Sequence, residues 1–182
     1  MCSMYDDLQE ILYSESQLKE RIGEIAKQLD EEYEGKNPVF VCILKGSAFF
    51  FTDLIRMMQI PLEIDFMAIS SYGAGSVSSG QVRMNKDLDR SIEDRHVIIV
   101  EDIVDSGRTL YYLKDMLKTR KPASVKICTL LDKVARREVD IIPDYKCFDI
   151  GNEFVVGYGL DYAEKYRNLP EIGVLKRSVY EK

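Results

Sequence analysis

The chain is organised around Val97-Ile-Ile-Val-Glu-Asp-Ile-Val-Asp-Ser-Gly-Arg-Thr-Leu110. Its four apolar opening residues predict a buried strand from Val97 to Val100, and two adjacent carboxylates, Glu101 and Asp102, follow it. A turn of small and polar residues follows, and then a helix expected over about 109–120. A helix that begins at such a turn presents unpaired backbone N–H groups and the positive end of its dipole. The stretch therefore predicts an anion site, and a phosphorylated sugar would suit its amides and carboxylates.

Strands and helices alternate on both sides of this stretch. Continuous apolar runs predict strands at 38–44, 61–69 and 125–131, and a helix is expected at 48–58. Because these strands are apolar on both faces, they indicate an α/β fold with a mainly parallel central sheet flanked by helices. The remaining expected elements are strands near 8–13, 81–88, 147–150, 154–158 and 172–176, and a helix from the capping box of Ser14 and Gln17 to Gly35.

Polar residues follow four of the predicted strands at the point where each strand ends. They are Lys45-Gly46, Ser70 to Tyr72, Glu101-Asp102 and Asp132-Lys133. In parallel sheets the carboxyl ends of the strands share one edge, and ligands bind outside that edge. The sequence therefore predicts a single site built from residues far apart in the chain.

Composition narrows the class of protein. With 182 residues, 46% of them hydrophobic and 31% charged, the chain is expected to form one globular domain. A formal net charge of -6 disfavours nucleic-acid binding. The single histidine, His96, argues against His-dependent hydrolases and zinc enzymes, and four cysteines without a C-x-x-C pair are expected to be reduced thiols. We find no secretory signal and no apolar run of about 20 residues, so no membrane association and a cytoplasmic location are expected.

Two interpretations of the central turn remain open at this point. Gly107 permits a positive φ, while Ser106 and Thr109 offer hydroxyls to a phosphate. The same residues could equally form a capping turn that binds nothing, and Glu101-Asp102 could be an ordinary solvated strand end. The chain has neither a G-x-x-x-x-G-K-[ST] nor a G-x-G-x-x-G motif, which disfavours P-loop ATPases and dinucleotide enzymes.

The segment 98–109 resembles the phosphoribosyl-pyrophosphate signature of the type I phosphoribosyltransferases. Three later segments extend the resemblance to the hypoxanthine-guanine members of that family: Leu130-Leu-Asp-Lys133, Phe154-Val-Val-Gly-Tyr-Gly-Leu-Asp-Tyr162 and Tyr166-Arg167. The resemblance implies the type I fold, with a small hood made by the N- and C-terminal segments. Residues 1–182 would then form one domain, with its core at about 36–150 and its hood at about 1–35 and 151–182.

The resemblance also implies an activity in purine salvage. The family transfers the 5-phosphoribosyl group from phosphoribosyl pyrophosphate to hypoxanthine or guanine, which gives IMP or GMP and releases pyrophosphate. This is a glycosyltransferase reaction that uses Mg²⁺. Relatives form dimers or tetramers, so a homodimer or homotetramer is expected. The preference among hypoxanthine, guanine and xanthine stays open, because it depends on the placement of backbone carbonyls.

Residue roles carry over from the family position by position. Asp105 would be the general base that takes a proton from the purine. The other implied groups are phosphoribosyl ligands (Glu101, Asp102, Asp105, Ser106, Gly107, Arg108, Thr109), purine ligands (Lys133, Phe154, Val155, Asp161), pyrophosphate ligands near a non-proline cis peptide (Lys45, Gly46, Arg167), magnesium ligands (Glu101, Asp102, Asp161), and a lid in the 70–80 loop (Ser71, Tyr72).

Each role has a simpler alternative. Phe154 and Val155 could be core residues, Lys133 could belong to a solvated basic patch with Arg136 and Arg137, and the 70–80 loop could be a disordered surface loop. For the whole chain, the alternative is a phosphoribosyltransferase-fold RNA-binding or transcriptional regulator. Its need for a basic face conflicts with the acidic net charge. Within the enzymes, an adenine or pyrimidine phosphoribosyltransferase is the closest rival.

Overall fold

The computed structural model describes residues 3–71 and 82–181, which form two β-sheets and their covering helices. The strands are β1 (Leu8–Tyr13), β2 (Val39–Leu44), β3 (Glu63–Ser71), β4 (Val82–Lys86), β5 (His96–Val104), β6 (Ser124–Asp132), β7 (Tyr145–Asp149), β8 (Val155–Val156) and β9 (Ile172–Leu175). The helices are α1 (Glu15–Tyr33), α2 (Ala48–Met57), α3 (Arg108–Lys118) and α4 (Arg177–Tyr180), with 3₁₀ turns at Met4–Asp7 and Val134–Arg136. None of the helices in these ranges is both long and apolar enough to cross a membrane.

The larger sheet has six strands in the order β4-β3-β2-β5-β6-β7. Five strands are parallel, and β4 joins the edge antiparallel to β3. The predicted α/β architecture with a mainly parallel sheet is therefore confirmed. Since β2, β3, β5 and β6 run in one direction, their polar carboxyl ends share the same edge, as expected for a ligand site.

The central strand is longer than predicted. We expected it to end at Val100, but β5 continues through Glu101 and Asp102 to Val104. The extension follows from pairing with β6, whose register continues to Val104 opposite Asp132. Backbone pairing with a neighbouring strand outweighs the poor intrinsic strand preference of two acidic residues.

The two faces of this sheet are covered by different helices. Ile98 and Val100 face the cluster that contains α1 and α2, whereas Val97 and Ile99 face the cluster that contains α3. This alternation is the period of two that a strand imposes on its side chains. The capping box predicted for α1 is present, since Ser14 and Gln17 exchange backbone and side-chain hydrogen bonds. The central strand is thus buried on both faces, and only its carboxyl end reaches a cleft.

A smaller antiparallel sheet is built from the terminal segments in the order β1-β9-β8. Val155, Ile172 and Val174 of this sheet belong to the same buried cluster as α1 and the central strands. The predicted hood from both ends of the chain is present as this sheet. The shared cluster holds the hood against the larger sheet, so its loops lie in fixed positions relative to the edge that carries the site.

The single histidine and the three described cysteines have packing roles in the fold. His96 begins β5, where its Nδ1 lies 2.8 Å from the Ser124 hydroxyl, and its ring meets Tyr33 edge-on. The thiols of Cys42, Cys128 and Cys147 are free and buried, as expected for reduced cysteines. Burial is also the main cause that raises the pKa of the Cys42 thiol to about 11.

Candidate active site

A small cleft of about 160 Å³ lies where β5 passes into α3. It brings together most of the residues predicted to hold the phosphoribosyl group: Glu101, Asp105, Ser106, Gly107 and Thr109 line it with Ile103, Val104 and Leu110. The helix N-terminus opens beside this cleft, so free amides and hydroxyls meet there. The cleft has the size and the donors for one phosphate group.

Gly107 shapes the turn, as the sequence predicted. It is the N-cap of α3 with φ 79°, a left-handed conformation that L side chains rarely adopt. A Cβ atom here would also come within 2.6 Å of Ile141 and 2.9 Å of Arg137. A side chain at this position would therefore both strain the turn and push it away from the segment that packs beneath it.

The adjacent carboxylates Glu101 and Asp102 are costly to keep ionised. Burial, followed by the charge of Asp102, raises the pKa of Glu101 well above its usual value, and one Glu101 oxygen has no hydrogen-bond partner in the described chain. Burial also raises the pKa of Asp102 to about 6, although the Ile103 amide and Arg167 act in the opposite direction. Carboxylates in such surroundings can bind hydroxyl donors or a cation that compensates their charge.

Two glycines allow the backbone at Lys45 and Gly46 to lie close to the carboxylate of Asp102 and to the hood. The peptide bond between Leu44 and Lys45 is cis, as the family resemblance implied. At the next residue, Gly46, a Cβ atom would lie only 1.7 Å from Asp102 Oδ2. A Cβ atom on Gly159 would lie 2.0 Å from the Gly46 carbonyl oxygen. A side chain at Gly46 would displace the Asp102 carboxylate, and one at Gly159 would clash with the backbone of Gly46, so this arrangement needs both glycines.

Arg167 connects the hood loop to this region. Its guanidinium pairs with Asp161 at 2.8 Å and donates to the Gly159 carbonyl at 2.7 Å, while its Nε has no partner in the part of the chain that is described. Glu164 lies between Arg167, at 3.6 Å, and Lys45, at 3.3 Å. The structure thus brings together three of the predicted ligands of the pyrophosphate and the metal, with one carboxylate between the two cations.

Lys133 is the most unusual charged group of the site. It lies at the end of β6 with only 5% of its surface exposed, and its ammonium makes no hydrogen bond or ion pair with other residues within 3–71 and 82–181. Burial lowers the pKa of the ammonium, although the Asp105 carboxylate acts in the opposite direction. The Nζ atom itself is not fully buried, so the ammonium is left free to donate to an oxygen that enters the cleft.

The alternative reading of Lys133, Arg136 and Arg137 as a solvated basic patch is wrong for Lys133 and Arg137. The side chain of Arg137 is 14% exposed and pairs with Asp132, a buried carboxylate that also faces Lys146 at 3.5 Å. Only Arg136 is largely exposed, and its Nε lies 3.2 Å from Asp105 Oδ1 without hydrogen-bond geometry. Sequence reasoning missed Arg137, because nothing in a run of basic residues shows which one turns inward.

The expected purine platform lies in the hood. Phe154 is partly buried and contacts the rings of Tyr162 and Tyr180, and its carbonyl accepts a hydrogen bond from Leu175 N at 2.8 Å. Val155 begins β8 and is buried in the main core cluster. Sequence reasoning assigned no role to Tyr180, and its position near the hood could not be read from spacing.

The other predicted site residues are placed as follows. Arg108 begins α3, is exposed and pairs with Glu138 at 2.5 Å. Ser71 is the last residue of β3 and pairs with Val82 of β4. Tyr72, the other residue of the expected lid, lies outside the described residues. The lid assignment therefore stays a prediction.

The acidic residues fit a magnesium ion that is shared with a substrate. No group of three or more His, Cys, Asp or Glu residues in the described ranges is arranged to hold a metal alone. Magnesium bound to phosphorylated substrates usually takes only one or two carboxylates and completes its shell with phosphate and water. Glu101, with one oxygen unpaired among the described residues, could supply such a carboxylate. Asp102 and Asp161 could supply others, because they are close enough for the charge of Asp161 to raise the pKa of Asp102.

Comparisons with known proteins show the family of this chain. A family model described as phosphoribosyl transferase domain matches residues 9–163. A hypoxanthine-guanine phosphoribosyltransferase from Streptococcus thermophilus is 54% identical, over 97% of this chain and 98% of its own length. A crystal structure of a hypoxanthine phosphoribosyltransferase from Staphylococcus aureus superposes with a TM-score of 0.96 at 49% identity, and the match covers 100% of both chains.

One group of relatives is longer than this chain. A bifunctional protein TilS/HprT from Listeria monocytogenes is 57% identical over 98% of this chain, but the match spans only 28% of that protein's length. The similarity to the Streptococcus and Staphylococcus proteins extends over their full lengths. The chain therefore belongs to the hypoxanthine-guanine phosphoribosyltransferase family, within the phosphoribosyl transferase domain proteins.

Proposed function

We propose that the protein transfers the 5-phosphoribosyl group from phosphoribosyl pyrophosphate to hypoxanthine or guanine, giving IMP or GMP and pyrophosphate. The observation that carries this proposal is the ammonium of Lys133, which the side chains within 3–71 and 82–181 leave unpartnered, on a residue whose backbone bonds to Val104 in the lining of the phosphate-sized cleft. A donor at this point suits the 6-oxygen of a 6-oxopurine. Adenine would present its own amino donor there, and two buried donors facing each other are unfavourable.

The donor sugar would be held by the turn between β5 and α3. The amides and hydroxyls of 105–109 bind its 5′-phosphate, and Glu101 with Asp102 hold the ribose hydroxyls, directly or through the metal. Arg108 adds positive charge at the rim of the cleft. Fixing the sugar in this way keeps its anomeric carbon in line with both the attacking nitrogen and the leaving oxygen.

The leaving pyrophosphate would be bound on the other side of Asp102. The backbone at Lys45 and Gly46 and the guanidinium of Arg167 donate hydrogen bonds to its oxygens. When Mg²⁺ is bound, it neutralises charge on the pyrophosphate oxygens as they leave. Glu101, Asp102 and Asp161 are the residues that would hold this ion.

The purine would lie between Lys133 and the hood. Phe154 stacks on its ring, the backbone at Val155 binds its edge, and Lys133 donates to its 6-oxygen. As the bond from ring nitrogen to anomeric carbon forms and the bond to pyrophosphate breaks, Asp105 takes the proton that the ring nitrogen loses. Ser71 and Tyr72 would close over this centre and exclude water, which would otherwise attack the electron-poor sugar carbon.

We extend the proposal to the domain and its setting. Residues 1–182 form one domain, with a core at about 36–150 and a hood at about 1–35 and 151–182, and the buried cluster shared by the two sheets supports this unity. The protein acts in the cytoplasm as a homodimer or homotetramer and binds neither nucleic acid nor membranes.

One experiment tests the activity directly. Nucleotide formation from phosphoribosyl pyrophosphate is measured side by side with hypoxanthine, guanine, xanthine and adenine, with and without Mg²⁺. We expect magnesium-dependent turnover of hypoxanthine or guanine and none of adenine. No turnover with any purine would remove the proposal, and a salt-dependent RNA mobility shift would then favour the regulator.

A further inference from the structure

Three aromatic rings form a cluster at the hood. The rings of Phe154 and Tyr180 are stacked, with centroids 4.8 Å apart and planes at 24°. Tyr162 meets Phe154 edge-on at 5.7 Å and 89°, and it contacts Tyr180 at 6.4 Å. All three side chains are partly buried. Stacked and edge-to-face arrangements are the favourable geometries for aromatic pairs, so the cluster fixes the plane of the Phe154 ring.

Within the described residues, no aromatic ring lies parallel to the face of Phe154 that is opposite Tyr180. Tyr180 covers one face, and the perpendicular ring of Tyr162 offers no parallel surface to the other. Within the described parts of the chain, no third aromatic residue contacts Phe154. A purine is itself a flat aromatic ring, and it could stack on the face opposite Tyr180.

The segment that carries Tyr180 is anchored by the two residues that precede α4. Leu175 N donates to the Phe154 carbonyl at 2.8 Å, so the backbone just before α4 is tied to the residue that Tyr180 supports. Lys176 donates from its backbone to the Asp7 carbonyl at 3.0 Å and from its side chain to the Asp6 carbonyl at 2.6 Å. These bonds hold α4 in place, so the Tyr180 ring stays stacked on Phe154.

We propose that Tyr180 is a positioning residue for the purine, because its ring supports one face of Phe154 and leaves the opposite face as the surface on which the base stacks. This inference rests on the proposed function, since it needs a base at Phe154. The Phe154 side chain has no polar group to orient it, so only packing sets its ring plane. Without Tyr180 the ring samples other rotamers, and part of the stacking energy is spent on ordering it again.

The test compares three proteins in one steady-state assay. Tyr180→Leu removes the flat ring but keeps apolar bulk, and Tyr180→Phe keeps the ring. We expect Tyr180→Leu to raise the KM for hypoxanthine about three- to tenfold, the range expected from loss of one aromatic pair. The KM for phosphoribosyl pyrophosphate and kcat should stay within about twofold. Tyr180→Phe should restore the KM for hypoxanthine, because the contact is made by the ring.

A double-mutant cycle separates positioning from general stability. If Tyr180 acts through Phe154, Tyr180→Leu should have little further effect on the KM for hypoxanthine once Phe154→Leu is present. An unchanged or lowered KM for hypoxanthine in Tyr180→Leu overturns the inference, as does a parallel rise in both KM values or additivity in the cycle. These results differ from failure of the proposed function, in which the wild-type protein itself would form no nucleotide.

Discussion

Arg137 donates a hydrogen bond from its Nε to the backbone carbonyl of Asp105, 3.2 Å away. The same guanidinium pairs with the buried carboxylate of Asp132, which immediately precedes Lys133. One side chain therefore links the turn expected to hold the sugar phosphate to the strand end expected to hold the purine. This link adds to the backbone pairing of Val104 with Asp132 in holding the two halves of the site together, although we expect Arg137 itself to contact neither substrate.

Replacement of Arg137 by Met should destabilise the protein. Asp132, whose side chain is 3% exposed, would keep only Lys146, at 3.5 Å, as a partner among the described residues. Removal of one member of a buried ion pair strands the other charge, so we expect a loss of about 3 kcal/mol in the free energy of unfolding. Urea denaturation of wild type and Arg137→Met at pH 7.5 measures this difference in the free energy of unfolding.

The neighbouring arginine supplies a matched control for this prediction. The side chain of Arg136 is 58% exposed, and Arg136→Met should cost less than about 1 kcal/mol. Adding Asp132→Asn to Arg137→Met should recover part of the loss, because the stranded charge is removed. Equal losses in the two arginine variants would contradict the role assigned to Arg137.

The raised pKa of Asp102 should be visible in the pH dependence of stability. Burial raises the pKa of this carboxyl to about 6, from an ordinary value of 3.8. Between roughly pH 4 and pH 6 the folded chain then binds more protons than the unfolded chain, so this group makes the free energy of unfolding fall as the pH rises. Asp102→Asn should remove this contribution and gain about 3 kcal/mol relative to wild type above roughly pH 7.

Urea denaturation of both proteins at several pH values between 4.5 and 7.5 checks this expectation. The stability difference between Asp102→Asn and wild type should grow with pH and then level off above the folded-state pKa. A difference that is constant across the range, or that shrinks as the pH rises, would show that the carboxyl is not strained by burial. We expect Asp102→Asn to be catalytically poor despite its stability.

Lys133→Met should weaken the use of 6-oxopurines selectively. The variant keeps the length of the side chain but loses the ammonium that we expect to donate to the 6-oxygen. Because a hydrogen bond to a charged group is worth about 1.5–3 kcal/mol, we expect kcat/KM for hypoxanthine to fall about 10- to 100-fold. The KM for phosphoribosyl pyrophosphate should change much less. Lys121→Met is the control, because the Lys121 side chain is 80% exposed. Equal effects on both substrates would argue against a base-binding role.

Glu164→Gln should strengthen binding of the pyrophosphate donor. The Glu164 carboxylate lies between Lys45 and Arg167, where oxygens of the pyrophosphate are expected, and the substrate must displace it. Because the pair with Lys45 is exposed, we expect only about a twofold decrease in the KM for phosphoribosyl pyrophosphate. The effect should fade at high salt as screening increases. Glu31→Gln, an exposed carboxylate of α1, should change nothing, and a raised KM in Glu164→Gln would contradict the prediction.

Local patterns predicted the elements of the fold well and their boundaries less well. The apolar runs indicated the strands of the parallel sheet, and the capping box located the start of α1. The end of β5 was wrong by four residues, because acidic residues are unusual in strands and only the pairing of Val104 with Asp132 extends this one. Strand ends depend on the partner strand, and a single sequence does not contain that register.

By itself the sequence determined the features that rest on neighbouring residues. The alternation of apolar strands and amphipathic helices sets the layers. The turn at 105–109 is also determined locally, because its left-handed φ falls on Gly107, the residue type that adopts this conformation without strain. Such features need no knowledge of distant contacts, because backbone preference and side-chain periodicity act within a few residues.

Only the tertiary structure decided which distant residues meet. It placed Gly46 against Asp102 and Gly159, turned Arg137 rather than Arg136 inward, and stacked Tyr180 on Phe154. These contacts result from the order of the strands and from packing between the two sheets, which no local pattern encodes. The residue types could be listed from the chain, but the geometry that could join a sugar phosphate, a pyrophosphate and a purine in one site arises from close packing of the whole core.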